Sequence, residues 1–192
     1  MKAVLWGTRG SLGSASAETV VYGGDTSSVE LVTSRGTILV LDAGSGVRRL
    51  GAAVPADVKR VDLLLTHLHM DHIQGLGFFG PMYNPNIETH VWGPASTNAT
   101  LRTRLSRYLS PPLFPVCVRD LPNVFFHDVM PGTFEIDDAT VSSAPTVGLP
   151  ASGTNGQILY ILVSDPDGAT VGGVGRASGD KLTYLYLGGG WQ

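Results

Sequence analysis

At 192 residues, with 43% apolar and 15% charged side chains, the chain is long enough for one sizeable core and too apolar for disorder. A net charge of −3 gives no general attraction to polynucleotides or anionic membranes, so a polyanion would need a local basic patch. Cys117 is the single cysteine, which excludes an internal disulfide and a thiolate metal cluster.

Lys2 to Trp6 reads as a first strand, too short for a signal peptide. No apolar run reaches transmembrane length, so a cytoplasmic protein with no membrane partner is expected. Gly7-Thr8-Arg9-Gly10-Ser11 closes the strand, either as an ordinary turn or as a tight loop that brings backbone N–H groups and Arg9 near an anionic ligand. Residues 11–18 are small and polar and read as a loop. Tyr22-Gly23-Gly24-Asp25-Thr26-Ser27 then turns into a hairpin with arms Ser28 to Thr33 and Thr37 to Asp42. Leu41-Asp42-Ala43-Gly44-Ser45-Gly46 ends the second arm. Val47, Leu50 and Val54 give the next helix one apolar face, and Pro55 stops it. Asp42 either supports a metal-binding loop from behind or caps that helix.

Val61 to Leu65 reads as a buried strand leading into Thr66-His67-Leu68-His69-Met70-Asp71-His72. Three of the five histidines and a carboxylate lie within these residues, and imidazole and carboxylate are the ligands of borderline divalent metals. His67 and His69 are expected to leave the strand on one side, because strand side chains alternate. Asp71 and His72 follow as the chain bends, which gives four ligands around room for two ions. Ile73-Gln74-Gly75-Leu76 is expected to open a helix, and Gly75 to Tyr83 to cover the site.

Glu88 to Trp92 is another predicted strand. Ala95 to Leu109 is a predicted helix with Leu101, Leu105, Tyr108 and Leu109 on one face. Arg102, Arg104 and Arg107 point elsewhere, as a solvated face or a surface for phosphate. Pro111, Pro112 and Pro115 end the helix. Asn123 to Asp128, Thr133 to Ile136 and Ala139 to Ala144 are three more strands, with Asp137-Asp138 at the turn between the last two. His90 and His127, each in an apolar strand, read as core or surface residues rather than ligands.

Together these stretches resemble the metallo-β-lactamase superfamily. Thr66 to His72 matches its H-x-H-x-D-H signature, and Leu41-Asp42-Ala43-Gly44 matches the strand-end acid that precedes it. The stretches 7–11, 22–27, 71–83 and Leu113-Phe114-Pro115-Val116 are similar to a bacterial branch near ribonuclease Z and the cyclic-phosphate phosphodiesterases. Asp25 stands where that branch usually has asparagine. The resemblance implies an α/β fold, an αββα sandwich of two mixed sheets with its second half abbreviated, in a single domain. Residues 1–145 carry the match and 146–192 form a divergent or truncated tail.

The resemblance further implies that His67 and His69 hold one metal and Asp71 and His72 the other, with Asp42 beside the site. The expected cofactor is Zn2+, two ions by the family pattern or one here, with Mn2+ or Fe2+ as alternatives. A water activated between the ions would attack phosphorus or a carbonyl carbon. The expected substrate is a small-molecule or nucleotide phosphodiester, without a charge pattern for nucleic acid, and a homodimer is compatible with the short second half. A β-lactamase proper fits less well, since the first loops follow the phosphodiesterase branch.

The pattern breaks in the second half. No histidine follows His127, and Gly148-Leu149-Pro150-Ala151 puts Leu149 where the family has its third histidine. Candidates for the bridging acid are Asp165, Asp167 and Asp180. Residues 141–192 hold 11 of the 25 glycines and only five charged residues. Ile158 to Val163, Ala169 to Val174 and Leu182 to Leu187 remain predicted strands, with no final helix to cover them. A natural divergent member and a frame-shifted or artificial end both account for this. Two functions follow: a metal-dependent phosphodiester hydrolase, or a non-catalytic metal- or nucleotide-binding member lacking the C-terminal ligands.

Overall fold

The computed structural model describes residues 1–145, with the backbone of 159–164, 170–174 and 184–187. Leu149, Asp165, Asp167 and Asp180 lie outside the described residues, as does the glycine-rich end. No described helix is long and apolar enough to cross a membrane.

Six strands form the first sheet: β1 (Lys2–Gly7), β2 (Ser28–Val32), β3 (Ile38–Leu41), β4 (Arg60–Leu64), β5 (Glu88–Pro94) and β6 (Val124–Val129), in sequential order. The first three pair antiparallel and the rest parallel. The change falls where connections lengthen. A short turn joins β2 to β3, whereas α1 (Val47–Ala53) bridges β3 to β4 in a crossover. The second sheet holds β7 (Gly132–Ile136), β8 (Ala139–Pro145), β9 (Leu159–Ser164), β10 (Thr170–Val174) and β11 (Tyr184–Leu187). Every pairing in it is antiparallel. The two-sheet architecture agrees with the sequence reading, but only the first sheet is mixed. No described helix intervenes between β7 and β11 to carry a parallel crossover.

Alternation along the central strands divides the core. Ile38, Val40, Val61, Leu63 and Val91 pack toward the helices, against Val47 and Leu50 of α1 and Leu101 and Leu105 of α3 (Leu101–Ser106). Leu39, Leu41 and Leu64 point the other way, onto Ile136, Ala139 and Val141 of the second sheet. Strands β3 and β4 are thus covered on both faces, as their near-continuous apolar runs require. At the far end the predicted Asp137-Asp138 turn docks onto the β2–β3 turn. Thr33 donates to Asp138 at 2.9 Å and Thr37 to Asp137 at 2.8 Å.

Two helical expectations change. The helix predicted over 95–109 begins only at Leu101, because the Thr100 hydroxyl accepts the Thr103 N–H at 3.2 Å and fixes the N-terminus there. Of its arginines, Arg102 and Arg107 are exposed, while Arg104 turns inward to the Pro94 carbonyl and to Asp128 at 3.3 Å. Gly75 to Tyr83 mostly packs the core rather than roofing a site: Leu76, Phe79 and Met82 are buried, and Phe78 alone of its large apolar residues is more than half exposed. Tyr83 and Tyr108 tether the segment by donating to the carbonyls of Gly77 and Gln74.

Candidate metal centre

The histidine run lies beyond the end of β4, not on its pleat. His67 and His69 are brought together by the loop, with ring centroids 4.5 Å apart, rather than by strand alternation. A single helical turn, α2 (Met70–Ile73), then begins inside the run with His69 at its N-cap, so Asp71 and His72 sit in the first turn. The predicted helix therefore starts three residues earlier than expected. An acid is at home there, where unpaired backbone N–H groups make the helix end positive.

His67, His69 and Asp71 each offer a ligand atom, all within 4.8 Å of one another. The His72 ring lies 4.1 Å from that of His67, and His72 Nε2 is 3.5 Å from Asp71 Oδ2. The four residues named from the sequence thus converge. Asp71 stands between the two pairs, grouped with His67 and His69 and also beside His72.

Asp42 organises this set from underneath. It is buried in the left-handed backbone region at φ 61°, a conformation that aspartate tolerates better than most residues but that still costs energy. Helix α1 has Gly46, not Asp42, at its N-cap, so the capping role is excluded. Instead the carboxylate accepts the Thr66 N–H and hydroxyl, both at 2.9 Å on Oδ1. On Oδ2 it accepts His72 Nδ1–H at 2.7 Å. With its own proton committed to Asp42, the Thr66 hydroxyl is left as acceptor for His67 Nδ1–H at 3.0 Å. In their neutral forms both buried histidines are thereby fixed in the tautomer whose Nε2 carries the lone pair. His67 Nε2 is buried and has no partner among the described residues. An orphaned, lone-pair-bearing nitrogen beside a second imidazole and a carboxylate fits a divalent metal, which would satisfy it. Thr66 is the member of this network that reading the sequence missed. Its signal was weak: a threonine at a strand end before the first histidine.

Charge state favours ligand duty at His67 and opposes it at His72, where a metal would have to displace a proton. Burial, with the neighbouring His72 and His69, pushes His67 down to about 4 against the pull of Asp42 and Asp71, so it is neutral at pH 7. Burial also lowers His72, but Asp42 and Asp71 more than reverse it, and the net direction is upward. For His67 the unfolded chain binds more protons than the folded one below the usual value of 6.5. Its contribution is therefore present above pH 6.5 and lost as pH falls toward 4. Metal-free protein should lose about 3 kcal/mol of stability relative to His67→Gln on acidification from pH 7 to 4. Parallel urea melts of the two proteins would measure this, and equal pH slopes would refute it.

Two loops press on the centre. Ala43 N–H donates to the His72 carbonyl at 2.8 Å and Gly75 N–H to the Ala43 carbonyl at 2.9 Å, which lays the strand-end segment along α2. From the other side Ser11 N–H donates to Asp71 Oδ2 at 2.8 Å. That contact spans 60 residues of sequence and was not foreseen. Asp25, at the base of the same N-terminal loop, accepts the Ser45 hydroxyl at 2.8 Å and pairs with Arg49 at 2.9 Å. His90 and His127 take no part: they hydrogen-bond each other at 2.9 Å and stack with Trp92 between the sheets.

The family description of the metallo-beta-lactamase superfamily matches residues 21–168, more than three-quarters of the sequence. The chain belongs to the metallo-beta-lactamase superfamily. The matched span runs past residue 145, where the sequence reading placed the end of the likeness. A ribonuclease Z from Mycobacterium sp. (strain KMS) is 32% identical over 137 residues, which cover 66% of this chain and 48% of the relative. The chain therefore spans about half the length of the curated relatives it matches. Among solved structures, the metallo-beta-lactamase fold protein YhfI from Bacillus subtilis aligns with a TM-score of 0.57 at 16% identity, covering 85% of this chain and 57% of that one. A diphosphatase from the PhnP family aligns with a TM-score of 0.57 at 17% identity, covering 84% and 61%. These likenesses show that the superfamily fold extends over most of the chain.

Proposed function

We propose that this superfamily member is a metal-dependent hydrolase of phosphodiesters, with Zn2+ as the first metal to test and Mn2+ or Fe2+ next. One observation carries the reading: Asp42 holds His72 directly and His67 through Thr66, leaving His67 Nε2 without a partner among the described residues beside His69 and Asp71. The similarity to a ribonuclease Z and to a diphosphatase supports phosphorus over carbonyl carbon as the reacting centre. His67, His69, Asp71 and His72 would hold the metal. When bound, it supplies an acidified water as nucleophile and neutralises charge on the phosphoryl oxygens.

The residues of the chain supply the rest. Asp42 keeps a proton on Nδ1 of His72 and, through Thr66, on Nδ1 of His67, so neither ring can rotate or change tautomer without losing a buried hydrogen bond. Asp71 is held by Ser11 through Oδ2. His69 is exposed while His67 and His72 are buried, so the centre opens to solvent on the His69 side and a substrate enters there. Overall, water adds across a P–O ester bond: its oxygen ends on phosphorus, and one proton ends on the departing alcohol.

Wild-type protein loaded with Zn2+ or Mn2+ should cleave bis(4-nitrophenyl) phosphate, and His67→Ala should lose at least about a hundredfold in kcat/KM together with bound metal. Equal turnover by His67→Ala would sink the reading. A second reading is favoured by the fact that every ligand gathered among the described residues comes from the segment 67–72. On that reading the protein binds an ion without turning over substrate. Elemental analysis showing bound metal, beside absent turnover with either ion, would establish it.

A further inference from the structure

The N-terminal loop has a geometry that holding Asp71 does not explain. Its base is closed by Thr8 and Arg9 N–H groups on the Asp25 carbonyl and by Ser14 N–H on the Gly24 carbonyl at 2.9 Å. Between them Leu12 N–H bonds the Gly10 carbonyl at 2.9 Å, with Ser11 at φ 66°. That is a three-residue turn about a non-glycine residue in the left-handed region, a rare and strained arrangement. The strain aims the Ser11 N–H at the metal ligand Asp71.

The same turn leaves an arginine beside the centre with nothing to do. Arg9 is exposed, and its guanidinium has no hydrogen bond or ion pair among the described residues. Asp25, whose backbone carbonyl accepts the Arg9 N–H, has its carboxylate already taken by Arg49 and Ser45. One residue, Gly10, separates Arg9 from Ser11, at most about 7 Å of backbone between their Cα atoms, which puts a group bound against Asp71 within the length of an arginine side chain. The loop is also open on this side: a Cβ on Gly10 would meet nothing within 4 Å. Arg102 and Arg107, also exposed, sit on and just after α3, and neither hydrogen-bonds a ligand residue among the described residues.

We propose that Arg9 is the substrate-binding cation of the metal centre, its guanidinium engaging the non-bridging oxygens of the substrate's phosphate while the Ser11 turn holds Asp71. The assignment rests on the phosphodiester reading above. It deepens that reading by placing the recognition of negative charge in the protein's first loop. A planar guanidinium suits two phosphoryl oxygens at once, and lysine would keep the charge but lose the paired geometry.

The test uses the full chain loaded with Zn2+ and compares wild type, Arg9→Gln, Arg9→Lys and Arg102→Gln. Inorganic phosphate binding is read by calorimetry, bis(4-nitrophenyl) phosphate hydrolysis by kcat and KM, and bound zinc by elemental analysis. Arg9→Gln should weaken phosphate binding about tenfold or more and raise KM by a similar factor, with zinc content unchanged. Arg9→Lys should fall between, and Arg102→Gln should match wild type. If Arg9→Gln binds phosphate as wild type does, or if Arg102→Gln carries the loss instead, the assignment to Arg9 is overturned. Wild type that fails to bind phosphate overturns it too. Failure of the hydrolase reading looks different: no diester turnover in wild type, with the calorimetric difference between wild type and Arg9→Gln intact.

Discussion

Asp42→Ala should destabilise the metal-free protein by about 3–5 kcal/mol and weaken metal binding by about ten- to a hundredfold. The substitution takes the acceptor from four buried donors: Thr66 N–H, the Thr66 hydroxyl, His72 Nδ1–H and, at 3.4 Å, the Ser27 hydroxyl. Each unsatisfied donor costs about 1–3 kcal/mol. Alanine at φ 61° adds strain that aspartate bears more easily. Asp42→Asn separates the two effects. Asparagine tolerates the left-handed region, but its NH2 group must face either His72 Nδ1–H or the Thr66 donors. It should keep more of the stability and still lose metal affinity, because the histidines are no longer held in one tautomer. Urea melts and competition against a chelating dye would measure both quantities. Unchanged metal affinity in Asp42→Asn would show that the carboxylate is not what prepares the ligands.

The second large effect is expected at Gly44. A Cβ there would lie 2.4 Å from the Asp71 carbonyl oxygen and 2.5 Å from the Thr26 hydroxyl. Backbone on one side and a hydroxyl bonded to Ser45 N–H and Gln74 on the other leave no flexible neighbour to give way. Gly44→Ala must therefore push α2 away from the strand end, at a cost of about 2–3 kcal/mol, and carry Asp71 out of line with His67 and His69. Gly80→Ala is the matched control, since its Cβ would meet only the Gly51 carbonyl oxygen at 3.8 Å. Gly44→Ala should lower both the melting temperature and the bound metal, and Gly80→Ala neither. A Gly44→Ala protein with normal zinc content would mean that the ligand turn tolerates displacement.

What could be read from the sequence followed chain distance. The ligands of the run 67–72 were legible because covalent proximity puts them in one place whatever the backbone does between them. Even so, the reason given for their convergence, strand alternation, failed: β4 ends at Leu64 and a loop does the work. Asp42 was legible as a strand-end acid, but choosing between helix cap and support for the histidines needed the fold, which sets it beneath Thr66 and His72. Ser11 was not legible at all, since it acts through a backbone N–H that any residue except proline carries. The strands β2 and β3 were placed within a residue or two, β2 because its apolar residues alternate and β3 because Ile38-Leu39-Val40-Leu41 is an unbroken apolar run between turn residues. The helix over 95–109 was overdrawn because the small and polar residues 95–100 carry no stop signal, while the Thr100 hydroxyl fixes the start at Leu101.

One buried acid bears on how the first sheet keeps its alignment. Asp62 is fully buried in β4 between the sheets, gripped by Arg60 at 2.8 and 2.9 Å and by Trp92 Nε1 at 2.8 Å. Apolar strands alone discriminate poorly between neighbouring alignments, since Val61, Leu63 and Leu64 would find oil on either face. Sliding β4 by one residue against β5 would turn Asp62 into the apolar layer beneath α1 and leave Trp92 on the opposite face. The polar triad so penalises the slipped sheet far more than it favours the correct one. It acts as a proofreading pin for the strand from whose end the histidines emerge.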